Sequence, residues 1–273
     1  MVSLCTVSFQ RFQLHQFRST FNRPHEIGMM MSPLADVVKL TNVARMAHKY
    51  HFANVEAWAL SALTCLQTEH STTIETHSLI HITEVAVLCE DAKLLQLVRK
   101  KWKDLIERHN DLSLAISVFE RLGICDLNGL AYNAMMLQGR ETWMSDPLLT
   151  REQRIRLLSG YHTISQICGN LPSNPPTFAH HHSCQRSNRC QKSWEILWRS
   201  ATTLEFPTAE AIDKNDLINR VIWFKDLVLV TNSLLRANRK MDGDCVPLAL
   251  EAMTIMSREF EARLIDFFQD ESC

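Results

Sequence analysis

With 46% hydrophobic and 22% charged residues in 273 positions, the chain can bury a sizeable core, and wholesale disorder is excluded. Its 7 Gly are few against an average usage of about 7%, and with 8 Pro they leave little material for the tight turns of an all-β fold. A net charge of −1 excludes a global pull toward nucleic acid or an anionic membrane, and no apolar run approaches the roughly 18 residues of a spanning helix.

Residues 1–31 carry Phe9, Phe12, Leu14, Phe17 and Phe21 with no single period, and the first nine lack a basic signal-type segment. Ser32-Pro33 is a helix start, with Ser at the N-cap and Pro at the first helical position. Leu34, Val37, Val38, Thr41, Ala44 and Ala47 then mark one helical face to about Lys49. Tyr50, His51 and Phe52 form an elbow. A second helix, about 54–67, is expected to bury Val55, Trp58, Ala59, Ala62 and Leu63. Tyr50, Phe52 and Trp58 are candidate interaction residues, lining a peptide groove. The competing expectation is that they form the core of the elbow, because aromatics at helical spacing usually pack inward.

The Thr-rich stretch 67–76 reads as a loop. Leu79, Ile82, Val85, Ala86 and Cys89 mark a third helix, and Leu94 to Ile106 mark a fourth within 91–109. The run Arg99-Lys100-Lys101-Trp102-Lys103 could be a nucleic-acid patch, but the period turns Trp102 inward and leaves a solvated basic face. Asp111 is expected to cap a fifth helix that Gly123 ends, and Asp126 a sixth. Residues 138–146 read as a loop. Thr150 and Gln153 have capping-box spacing and open a seventh helix burying Leu157, Leu158, Tyr161, Ile164 and Ile167.

Residues 169–190 break the helical pattern with Pro172, Pro175, Pro176, His180, His181, His182, Cys184 and Cys190. Beyond them Trp194, Leu197, Trp198 and Ala201 mark another helix, a further helical stretch runs from Phe206 to about Asn238, and a last one spans about 246–269. The fold class is therefore mainly α, with about ten helices. Four regions are expected: 1–67, 68–168, the 169–190 loop and 191–273.

The 9 Cys are an odd number scattered singly, which favours free thiols in a reducing, intracellular compartment. The run His180-His181-His182-Ser183-Cys184, followed by Cys190, is the best candidate chemistry, since imidazole and thiolate are zinc ligands; Cys168 is a candidate fourth. Cys-x5-Cys is not a usual knuckle spacing and no second Cys pair follows, so no metal ligand and no cofactor is assigned. Gly-x-Ser-x-Gly, His-Glu-x-x-His and phosphate-loop patterns are missing, and no catalytic residue is assigned.

Several segments, in this order, resemble the BTB/POZ-domain proteins of mushroom-forming basidiomycete fungi: Pro24-His25-Glu26-Ile27, the stretch from Ala44 to Phe52, Glu56 to Leu60, Val85 to Cys89, Asp126 to Tyr132, Leu157 to Tyr161, and the Pro-Pro loop with Cys184, Cys190 and Trp194. The resemblance covers about residues 17–270. It implies that residues 34–66 correspond to the last helices of a BTB domain and that a helical extension follows. The body of that domain and its usual dimer surface would then precede residue 1. The expectation is a non-catalytic protein–protein interaction protein of unidentified protein partner, without nucleic acid or membrane, and with self-association left open. The alternatives are a zinc-binding helical module using the His180–Cys190 loop, or an intracellular enzyme.

Overall fold

The computed structural model describes residues 37–69, 75–203, 215–234 and 241–269. The Ser32-Pro33 start, the Phe-rich beginning, and the segments 204–214 and 235–240 lie outside the described residues. Among the described residues all regular secondary structure is helical, with no strand, so the mainly α expectation holds. Packing divides the chain into two units, Met1–Asp104 and Leu105–Cys273. The expected border at 67/68 falls within the helix Ala53–Glu69.

In the first unit, α1 (Val37–Lys49) packs against α2 (Ala53–Glu69) and α3 (Thr76–Leu88). Leu40, Ala44, Ala47, Ala59, Leu63, Ile82, Val85 and Ala86 form its core. Small Ala side chains let the helix axes approach, and Leu and Ile fill what remains. α4 (Ala92–Glu107) begins in this unit, where Asp91 caps it by accepting from the Leu94 amide at 2.7 Å. Trp102 is fully buried and its indole N–H donates to Thr83 Oγ1 at 2.9 Å. The basic run is thus a helix surface around one buried indole, as its period implied.

Three helix ends in this Gly-poor chain are made without Gly. His51, Glu90 and His109 take left-handed φ of 59°, 52° and 57°. The amides that follow them reach back: Phe52 to Ala47 O at 2.8 Å, Asp91 to Ala86 O at 3.0 Å and Asn110 to Leu105 O at 2.9 Å. Each closes the last carbonyls of a helix in the manner usually assigned to Gly.

The second unit starts with the hairpin of α5 (Leu112–Leu122) and α6 (Cys125–Leu137), turned by Gly123 at φ 68°. Asp111 is the N-cap residue but takes φ 53° and its carboxylate makes no capping bond; Asp126 lies in the first turn of α6, which Ile124 precedes. The expected loop at 138–146 is instead the short helix α7 (Arg140–Ser145), pinned by Trp143, which is 2% exposed. One isolated aromatic gives no period, so a single turn held by it is invisible to pattern reading. α8 (Arg151–Asn170) opens with the expected capping box: the Gln153 amide donates to Thr150 Oγ1 at 3.2 Å, and the Thr150 amide to Gln153 Oε1 at 2.9 Å. Leu158 and Tyr161, expected inside, are exposed; Leu157, Gly160, Ile164 and Cys168 form the inner face.

A 3-10 turn (Leu171–Ser173) leads into the Pro-rich segment, and α9 (Ser187–Thr203) follows. α9 packs on α10 (Leu217–Leu234), and α10 on α11 (Cys245–Ala262). The expected last helix breaks at Arg263, giving a short α12 (Leu264–Phe268) that packs against α6 and α8. Two glycines make this seat possible. A Cβ at Gly160 would lie 2.2 Å from ring carbons of Phe268, and one at Gly129 would lie 2.6 Å from the Ile265 amide nitrogen. Phe268 then stacks on Tyr132 with centroids 5.2 Å apart. The Tyr132 hydroxyl donates to Glu120, whose carboxylate also accepts from Gln153 at 2.8 Å and pairs with Arg156. Burial, and next the Glu120 carboxylate, hold the Tyr132 hydroxyl well above its usual range.

Candidate functional site

At the elbow, Phe52 is 40% exposed, while Tyr50 and Trp58 are half-buried. The Tyr50 and Phe52 rings lie 6.3 Å apart at a tilt. These aromatics form a rim, not the expected core; Ala47, Ala59 and Leu63 do the deep packing. Beside them His48 Nδ1 lies 3.4 Å from Glu56 Oε2, and Cys89 closes a three-donor group within 4.8 Å. Burial first, then the charges of Glu56 and Asp91, push the Cys89 thiol from 9.0 up to about 11. A cleft of about 380 Å³ runs along Glu56, Leu60, Thr64, Asp91 and Lys93.

In the second unit a cleft of about 520 Å³ lies between Leu130, Asn133, Leu137, Asp216, Asn219 and Glu261, among others. The Asp216 carboxylate is occupied as the cap of α10, accepting from the Asn219 amide at 3.1 Å and from its side-chain amide at 2.7 Å. Its role there is structural.

The densest set of coordinating atoms forms around the Pro/His/Cys segment, and aromatic packing builds it. Trp194 and Trp198, one turn apart on α9, are fully buried with centroids 5.8 Å apart. Their indole N–H groups point back along the incoming chain: Trp198 Nε1 donates to Leu171 O at 2.6 Å and Trp194 Nε1 to Pro176 O at 2.9 Å. Phe178 meets Trp194 edge-on at 5.9 Å and His180 at 4.9 Å. The segment is thereby laid along α9, and His180 arrives beside the first turn of that helix. Cys190 is on α9 itself, not in the loop, and is 3% exposed.

Cys245, the first residue of α11, completes the group and is fully buried. One donor atom from each of His180, Cys184, Cys190 and Cys245 lies within 4.8 Å of the others, and His180 Nδ1 is 3.6 Å from Cys245 Sγ. The His181 amide donates to Cys245 Sγ at 3.4 Å, and the Asp242 backbone bonds to Cys190. Burial pushes the Cys245 thiol up to about 12, with Cys184 and Cys190 adding to the shift, and burial likewise raises Cys190. His181 turns away, toward Ser183 at 2.7 Å and Asp244 at 3.6 Å, and His182 is exposed. Cys168, the expected fourth donor, is buried on α8 outside the group. Sequence reasoning missed Cys245. Its only signal was position, a Cys directly after the Asp242-Gly243-Asp244 turn and 55 residues beyond Cys190, and no local spacing rule reaches that far.

No protein-family profile matches the chain, and neither a characterised protein nor a solved structure matches it. No helix among the described residues is long and apolar enough to cross a membrane.

Proposed function

We propose that this protein is a non-catalytic protein–protein interaction protein of an intracellular, reducing compartment, as its resemblance to BTB/POZ proteins implies. The observation that supports this reading is the outer side of α8. Ile155, Leu158 and Tyr161 are 49%, 53% and 39% exposed, on a helix whose other side is fully committed to the core. Solvated helix surfaces are normally polar, and large apolar side chains grouped on one are the mark of a surface that another protein covers. The unidentified partner would present a complementary apolar face.

A photo-crosslinking residue at Leu158 tests this in extract from the native cells, with Gln166 as the control position. A discrete adduct at Leu158, competed away by the unlabelled protein but not by its Ile155→Glu/Tyr161→Glu variant, is expected. Equal labelling at both positions would remove the reading.

A further inference from the structure

We propose that His180, Cys184, Cys190 and Cys245 bind one Zn2+ ion in a closed tetrahedral site that clasps the Pro-rich segment to the start of α11.

The donor set comes first. Three thiols and one imidazole are the composition of a structural zinc centre, in which four protein ligands leave no position for water or substrate. Distances agree. With Zn–S near 2.3 Å and Zn–N near 2.0–2.1 Å, the nitrogen-to-sulfur edge of a tetrahedron is about 3.6 Å and the sulfur-to-sulfur edge about 3.8 Å. His180 Nδ1 and Cys245 Sγ stand 3.6 Å apart, and all four donors fall within 4.8 Å, so a small contraction closes the site. A polar N–H group already aims at one of the sulfurs, from His181 to Cys245. Such amide contacts stabilise thiolates around a bound metal and orient them. Phe178 fixes the His180 ring edge-on.

The surroundings supply the need. Between Pro176 and Cys190 no residue is fully buried, and residues 174–186 contain no helix. Such a stretch has too little apolar burial to offset its ordering entropy. A metal bound by His180 and Cys184 within it, and by Cys190 and Cys245 on two buried helix starts, supplies the missing constraint. On binding, the Cys184, Cys190 and Cys245 thiols release their protons to solvent, and the ion takes the three sulfurs as thiolates. This proposal is independent of any partner.

The test is metal content of the full chain, expressed with zinc supplied, purified with a non-chelating reductant and measured by mass spectrometry of the element. The expected result is one Zn per chain in the native protein and in Cys125→Ser, which changes an exposed thiol outside the group. Cys190→Ser and Cys245→Ser should hold less than about a tenth of that, since losing even a group that only orients a ligand costs about 10–100-fold in metal affinity. Because replacing a buried thiol also perturbs folding, Co2+ is added as well to the native protein stripped of metal. Intense visible absorption of tetrahedral cobalt, with a thiolate charge-transfer band, supports the site. An octahedral spectrum, or zinc no higher in the native protein than in Cys190→Ser, would overturn it.

Discussion

Both units of this chain are built from helices among the described residues, and they hold those helices together by different means. In the first, α1 and α2 are joined by a three-residue elbow, and α3 packs back on α1. Its one deeply buried indole bonds to Thr83, 19 residues away. In the second, order depends on pairs far apart in sequence: Trp198 with Leu171, Ser183 with Asp244, and His180 with Cys245. Local periodicity suffices for the first arrangement. The second needs side chains chosen for what they meet across a folded core.

Removing the central indole of each unit sharpens this contrast most. Trp198→Ala and Trp102→Ala should each cost about 3–5 kcal/mol, the range for a large buried aromatic. Hydrogen exchange should separate their effects. Trp102→Ala should raise exchange in 37–49 and 76–88. Trp198→Ala should raise it across 174–186 as well as in α9, because the Leu171 carbonyl loses its donor. Protection of 174–186 in Trp198→Ala equal to that of the native protein would break the comparison.

A smaller loss is expected at the seat of α12. Gly160→Ala forces the Phe268 ring away from Tyr132 and should cost about 1–3 kcal/mol, as overpacking does. Phe268→Leu combined with Gly160→Ala should recover part of it in chemical denaturation, because the smaller side chain leaves room for the methyl group.

The smallest effect belongs to Cys89 in the first unit. Its thiol keeps its proton up to about 11 when folded and only to 9.0 otherwise, so unfolding releases a proton between those values. Stability from this group is therefore complete below pH 9 and is lost as pH rises toward 11. Melting temperature should fall more steeply over that window in the native protein than in Cys89→Ala. Parallel slopes would show that Glu56 and the burial do not act on this thiol.

Much of the helical scaffold was legible because apolar residues recur every three to four positions, and because two local signals, Thr150/Gln153 and Gly123, carry their own mechanism. The helix ends at His51, Glu90 and His109 were not legible as such, since any residue can be driven into the left-handed conformation when flanking packing compensates its cost. The elbow aromatics were recognisable as a group, but their place at the rim was not. Periodicity says which side of a helix is apolar, not how far a neighbouring element covers it.

By itself, the sequence determined a mainly helical chain, the order of its principal helices, and the presence of imidazole and thiol groups in a segment without helical period. Only the tertiary structure decided that Cys245 joins His180, Cys184 and Cys190, that Cys168 does not, and that the outer side of α8 stays uncovered. The physical reason is range. Backbone hydrogen bonding and helical periodicity act over a few residues, whereas a coordination shell and a covered surface are properties of distant segments brought together by burial of Trp194, Trp198 and Phe224.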